Sequence, residues 1–295
     1  MTDATILIPT HRHAELLPYA MRSALAQEGV ELEIFVIGDG VEDDTRQALT
    51  PFLSDARVRF FDCPKGERHG ERLRHEALQD STSPIVCYLS DDDLLLPGHV
   101  AQMRELLVEA DLAHDLPVNV WLDGSLRYNA FDLARPEFVE LLAAGRGGGG
   151  LTGVAHTRNA YDRLPYGWRP APPGMPTDIH MWQQFLTIPG FKGVTGDRLT
   201  TLKFPSPLRT HMSTAERVFE LEQWQQRIID PGFQAELDAL SVFAARRAAE
   251  RLKLTTVRLE RELDRIQRTR WWRTRRAVAE LRPVRALRAM HREAR

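Results

Sequence analysis

The sequence predicts an α/β fold: a mostly parallel central sheet flanked by helices, with a helical extension at the carboxyl end. Three observations predict it. Over the first 110 positions, four short apolar runs alternate with helical stretches, the pattern of strand–helix–strand units with parallel strands. Polar groups follow three of the runs, as Thr10-His11-Arg12, Gly38-Asp39-Gly40 and Asp91-Asp92-Asp93. In sheets of this kind ligands bind beyond the carboxyl ends of the strands, so the three groups converge on one crevice.

Thr5 to Pro9 is a buried strand, and Ala14 to Gln27 a helix with Leu16, Leu17, Ala20, Met21, Ala24 and Leu25 at helical spacing. Glu33 to Ile37 is the second strand. Glu42 to Leu53 is a helix with acidic residues in its first turn, where they complement the helix dipole. Arg57 to Phe61 is the third strand, His69 to Gln79 a helix and Pro84 to Leu89 the fourth strand. Pro97 opens a helix through Ala110, since proline is tolerated at a first helical position. In the less regular middle, Val118 to Leu122 forms a strand, 145–150 a glycine-rich loop, and Thr177 caps a helix through Leu186. Leu199 to Phe204 is a late strand, Thr214 to Ile229 a helix, and Pro231 starts a longer one. The apolar residues at 252, 259, 263 and 266, with Thr256 between, make a short coiled-coil seam.

The net charge of -2 conceals a division. Residues 251–295 carry 15 Lys/Arg against 5 Asp/Glu, leaving 24 basic and 36 acidic residues in the preceding 250. Two cysteines, Cys63 and Cys87, cannot build a disulfide framework or a zinc cluster. The first residues lack the charged and apolar regions of a signal peptide. No apolar stretch reaches the roughly 18 residues that span a bilayer. A cytoplasmic protein, or one peripheral at the inner face of a membrane, is expected. In the tail, Trp271 and Trp272 between arginines suit the surface of an anionic membrane, and the charge alone suits a solvated helix equally. No reader motif for nucleic acid accompanies it.

Three consecutive carboxylates at a strand end repel one another, and burial raises their pKa values unless a cation sits among them. A hard divalent ion with oxygen ligands removes the conflict; a solvated acidic turn avoids it. In an extended segment Asp91 and Asp93 project to the same side.

The chain resembles the family 2 glycosyltransferases of GT-A fold in four blocks that together cover roughly residues 4–100. They are Ile6-Leu7-Ile8-Pro9-Thr10; Val36 to Thr45, similar to the family's Asp-Asp-Gly-Ser-x-Asp-x-Thr; Lys65-Gly66 followed by Leu73-Arg74-His75-Glu76-Ala77-Leu78; and Tyr88-Leu89-Ser90-Asp91-Asp92-Asp93 with Pro97 beyond, which looks like its "DxD" block. Gly38 and Val41 stand where the family has Asp and Ser, His75 where it has Asn, and His11-Arg12-His13 where it has Tyr-Asn. These departures leave the donor base and sugar open.

The resemblance implies an inverting, metal-dependent transferase that takes a sugar from a nucleotide-diphosphate donor to an acceptor hydroxyl in cell-surface glycan or glycolipid synthesis. It implies Mn²⁺ or Mg²⁺ held by Asp91, Asp92 and Asp93, with His211 as a further ligand. Donor contacts fall to Pro9, Thr10, His11, Arg12, Asp39, Arg74 and Asp91, and the general base to Asp178. Trp168 and Trp182 would stack on the acceptor, or lie in the core. Processive synthases of the family carry Gln-x-x-Arg-Trp, which this sequence shows only as Gln267-Arg268-Thr269-Arg270-Trp271 in the basic tail, outside the expected GT-A domain; with no membrane span beside it, a non-processive transferase is expected. A non-catalytic nucleotide-sugar-binding protein on the same fold is the alternative. The expected divisions are a GT-A domain over 1–210 (nucleotide half 1–115, acceptor half 116–210), packed helices over 211–250 and a basic tail over 251–295. The expected partners are the donor, a glycan or lipid-linked acceptor, a second copy through 252–266 and a membrane through 268–295.

Overall fold

The computed structural model describes residues 2–269 other than 117, 129–130 and 148–149, and the side chains of all of these except 244–253. Its elements begin with β1 (Ala4–Thr10), α1 (Leu17–Leu25), β2 (Leu32–Asp39), α2 (Asp43–Leu49), β3 (Val58–Cys63), α3 (Glu71–Leu78) and β4 (Ile85–Tyr88). They continue with β5 (Leu94–Leu95), α4 (His99–Leu106), β6 (Leu112–His114), β7 (Val118–Val120), β8 (Leu126–Tyr128), α5 (Pro136–Ala143), β9 (Val154–Thr157) and α6 (Arg158–Asp162). The last are α7 (Thr177–Phe185), β10 (Gly193–Thr195), β11 (Thr201–Leu202), α8 (Thr214–Ile228) and α9 (Pro231–Gln267).

The main sheet has seven strands in the order β10-β6-β9-β4-β1-β2-β3. Its pairings are parallel except where β9 lies antiparallel between β4 and β6. Alternate residues of a strand face opposite sides, and the core divides accordingly. Ile6, Ile8, Ile34, Val36 and Cys87 pack on one face with Leu17, Met21, Val100 and Met103. Leu7, Phe35, Ile37, Val86 and Tyr88 pack on the other with Leu78, Trp168, Trp182 and Phe185. A third cluster joins Leu94, Leu96, Leu202 and Phe204 to Trp224, Phe233 and Leu237, so α8 and the start of α9 cover the loop that follows β4.

Several boundaries differ from the sequence reading. The helix after Pro97 begins at His99, with Gly98 as its N-cap. Pro176, not Thr177, occupies the N-cap of α7, and the Thr177 hydroxyl donates to Glu71 Oε1 at 2.8 Å instead. The expected strand over 199–204 is reduced to β11, which pairs antiparallel with β5.

Residues 1–242 form one unit and 243–295 a second. In the second, the seam residues Leu259, Leu263 and Ile266 are 58%, 54% and 45% exposed. The side chain of Leu252 and the tail from 270 onward, with Trp271 and Trp272, lie outside the described residues. Among the described residues no helix is long and apolar enough to cross a membrane.

Candidate active site

The parallel register brings the ends of β1, β2 and β4 side by side, with Thr10 opposite Gly38. Beyond them lies a cavity of about 510 Å³ lined by Pro9, Thr10, His11, Arg12, Asp39, Arg74, Asp91, Asp92 and Asp178, among others. Buried polar atoms normally find a partner. In this wall Thr10 Oγ1, His11 Nδ1 and the Nε and Nη1 of Arg74 have none within the protein. Four orphaned polar atoms on one cavity wall are the mark of a polar ligand.

Asp39 is held on both oxygens. Gly66 N donates to Oδ1 at 2.6 Å, and Lys65 Nζ to Oδ2 at 2.6 Å. Gly70 backs this arrangement at φ +68°, where a Cβ would stand 2.7 Å from Asp39 Cγ. Gly70→Ala is therefore expected to cost roughly 2–4 kcal/mol in stability, from left-handed strain plus overpacking. It should also weaken nucleotide binding by turning Asp39; thermal melting and nucleotide titration check both.

The carboxylates after β4 separate into two kinds. Asp91 Oδ1 lies 2.8 Å from His13 Nδ1. Asp92 Oδ2 accepts from Ser206 Oγ and Arg217 Nη2, each at 2.7 Å. His13, Asp91 and Asp92 offer ligand atoms within 4.8 Å of one another, and one imidazole with two carboxylates suits a divalent ion such as Mn²⁺. Asp93 turns inward instead. Its carboxylate accepts from Thr152 Oγ1 at 2.6 Å and Phe204 N at 2.7 Å. Burial, with Asp92 nearby, pushes its pKa up to about 7. The expectation that Asp91 and Asp93 share a side is thus corrected: a turn over 91–92, not an extended segment, follows β4. His211 is exposed and stands outside the His13–Asp91–Asp92 group.

Asp178 also lines the cavity, from the first turn of α7. Burial raises its pKa above the ordinary value, against the pull of Arg74, Lys203 and His69 and a backbone hydrogen bond from Leu151. Arg74 is its charged neighbour, with Nη2 donating to His69 O at 3.0 Å and the guanidinium 4.8 Å from the Trp168 ring centroid. Trp168 and Trp182 are each 2% exposed. Trp168 Nε1 donates to Tyr88 Oη at 2.9 Å, and Trp182 packs edge-on against Tyr88 and Trp168. Neither ring has a free face, so acceptor stacking by these two is corrected to a core role. His156 is core as well, stacked on Tyr161 and bonded to Tyr88 Oη at 2.8 Å.

His13, Lys65, Arg68, His69 and Ser206 also line or border this cavity and were missed as site residues. His13 adjoins a segment already singled out. Lys65 lay within a matching block, but nothing local shows that it pairs with Asp39. Ser206 and Arg217 reach Asp92 only through tertiary packing.

Residues 5–129 match Glycosyl transferase family 2. They are a family 2 glycosyltransferase domain. Among proteins similar to the chain, the succinoglycan biosynthesis protein ExoO of Rhizobium meliloti is 32% identical over 148 residues, 47% of this chain and 42% of that one. The chain spans less than half the length of the curated relatives it matches. Two solved structures share the fold. S. aureus TarS 1-349 in complex with UDP-GlcNAc superposes with a TM-score of 0.56 at 12% identity, covering 81% of this chain and 71% of that one. The mannosyltransferase PcManGT from Pyrobaculum calidifontis, with GDP-Man and Mn²⁺, gives 0.50 at 18% identity, covering 92% and 82%. The family 2 domain supplies the strand ends carrying Thr10, Asp39, Asp91 and Asp92; Asp178 and Arg217 come from the chain beyond it.

Proposed function

We propose that the protein is a non-processive, inverting glycosyltransferase that uses a divalent metal and a nucleotide-diphosphate sugar in polysaccharide or glycolipid synthesis. The observation that carries this reading is the cavity itself, which is lined by the orphaned polar atoms of β1 and α3, two carboxylates after β4 and Asp178 of α7. The neighbours whose names include UDP-GlcNAc, GDP-Man and Mn²⁺ support the donor class and the metal. His13, Asp91 and Asp92 would hold the ion, whose charge would offset that of the departing diphosphate. Thr10, His11 and Arg74 would bind and orient the donor.

Asp178 would accept the acceptor's hydroxyl proton as that oxygen bonds to the anomeric carbon. The bond from that carbon to the β-phosphate oxygen breaks, and its electron pair leaves with the nucleoside diphosphate. A carboxylate with a raised pKa is better matched to proton transfer near neutral pH than an ordinary one. Contact of the tail with a membrane surface and pairing of copies through 252–266 belong to the same proposal.

A thermal-shift screen of UDP-, GDP- and dTDP-sugars with and without Mn²⁺ tests it. One donor series should raise the melting temperature, and more so with the metal, because a ligand that binds only the folded state stabilises it. No shift with any donor would overturn the reading. A shift without subsequent sugar transfer would favour a non-catalytic binding protein.

A further inference from the structure

We propose that Arg217 serves the donor diphosphate, and that in the donor-free protein it holds the cation position at Asp92. The inference rests on the glycosyltransferase reading above and assigns a residue beyond the family 2 domain to its leaving group. Arg217 lies in the first turns of α8, whose start is fixed by a capping box. Ser213 Oγ accepts from Glu216 N at 3.3 Å, and Glu216 Oε2 accepts from Ser213 N at 2.7 Å. Leu221 and Trp224 anchor the same helix in the core. The backbone of Arg217 is therefore positioned, while its side chain reaches Asp92 of the cavity lining and keeps 15% exposure.

Of the cations lining the cavity, Lys65 and Arg68 are bound to other groups, Arg74 keeps its Nε and Nη1 for the donor, and Arg12 is exposed. Lys65 Nζ donates to Asp39, Gly66 O and Arg68 O. Arg74 is buried against Trp168 and the His69 carbonyl. Arg217, by contrast, pairs at 2.7 Å with a carboxylate that belongs to the proposed metal group. A guanidinium and a divalent ion on one carboxylate repel each other, so loading the ion releases the guanidinium. Its planar fork matches phosphate oxygens two at a time. The incoming diphosphate replaces the partner that Arg217 gives up, and charge developing on the β-phosphate oxygen during transfer meets that fork.

The test measures Mn²⁺ alone by electron paramagnetic resonance, and inorganic pyrophosphate with and without Mn²⁺ by calorimetry, on the full chain. Arg217→Ala should bind Mn²⁺ roughly fivefold more tightly, because a partly exposed competitor has been removed. The same variant should bind pyrophosphate about tenfold more weakly and lose about 10²-fold in transfer rate. Arg217→Lys, which keeps the charge without the fork, should retain wild-type Mn²⁺ affinity and lose pyrophosphate affinity. Opposite signs are what a merely structural residue cannot give. Affinities that fall together, or do not move, would overturn the inference. If wild-type protein binds no Mn²⁺, the metal reading fails by itself. The metal-free pyrophosphate titration then decides the role of Arg217, which is overturned if Arg217→Ala binds pyrophosphate as wild type does.

Discussion

Asp178→Asn is expected to lower kcat by about 10³-fold, the usual contribution of a positioned general base. Donor affinity should stay within about twofold of wild type, because the lost interaction belongs to the transition state. The substitution is nearly isosteric, and the Asn carbonyl can still accept the backbone hydrogen bond that Leu151 gives to Asp178. What it removes is the capacity to take a proton. Single-turnover kinetics beside donor titration separate the two quantities, and near-normal turnover would sink the assignment. The pH profile gives a second check. Burial raises the Asp178 pKa above 3.8, and only the ionised form can act as base. Activity should therefore rise with pH through that raised value, placing the acid limb above the ordinary aspartate range. In Asp178→Asn that limb should vanish from the residual rate.

Much of the first half was legible because its signals are local. The segments now seen as β1 to β4 are apolar runs of strand length, and the first helix between them carries its own periodicity. The cavity residues Thr10, Asp39, Asp91 and Asp92 follow from the rule that ligands gather at strand ends. The second half was less legible for physical reasons. β6, β9 and β10 are three or four residues long, too short for a period to show. β9 owes its place to partners on both sides, with His156 bonded to Tyr88, and nothing within its own sequence marks it as a buried central strand. Trp168 and Trp182 suit a sugar platform or a core equally well until burial is known, and here Tyr88 decides for the core. The inward turn of Asp93 is equally invisible in sequence, since its partners are Thr152 and Phe204 N, at least 59 positions away.

The turn that aims Asp91 and Asp92 at the cavity rests on this inward carboxylate, and Lys203 is the cation behind it. Lys203 is 9% exposed. It adjoins Asp115, Asp93 and Asp178, and burial lowers its pKa against their pull. Asp115 is fully buried, accepts from Thr201 Oγ1 at 2.5 Å, and is held below the usual carboxylate range by His114 and Lys203 despite its burial. Lys203→Met keeps the volume and removes the charge. Leaving buried carboxylates without their cation costs about 3–5 kcal/mol, a fall of several degrees in Tm for a domain of this size. The sign with pH is specific. Asp93 already has a raised pKa of about 7 against 3.8 unfolded, so it withdraws stability as pH climbs between those values. Without Lys203 the folded pKa of Asp93 rises further and its withdrawal deepens, while Asp115 loses part of the stability that its lowered pKa supplies. The deficit of Lys203→Met relative to wild type should therefore be large at pH 8 and shrink toward pH 5, where protonation neutralises the stranded carboxylates. Denaturant melts of both proteins across that range measure it; a deficit independent of pH would mean that Lys203 acts by packing alone.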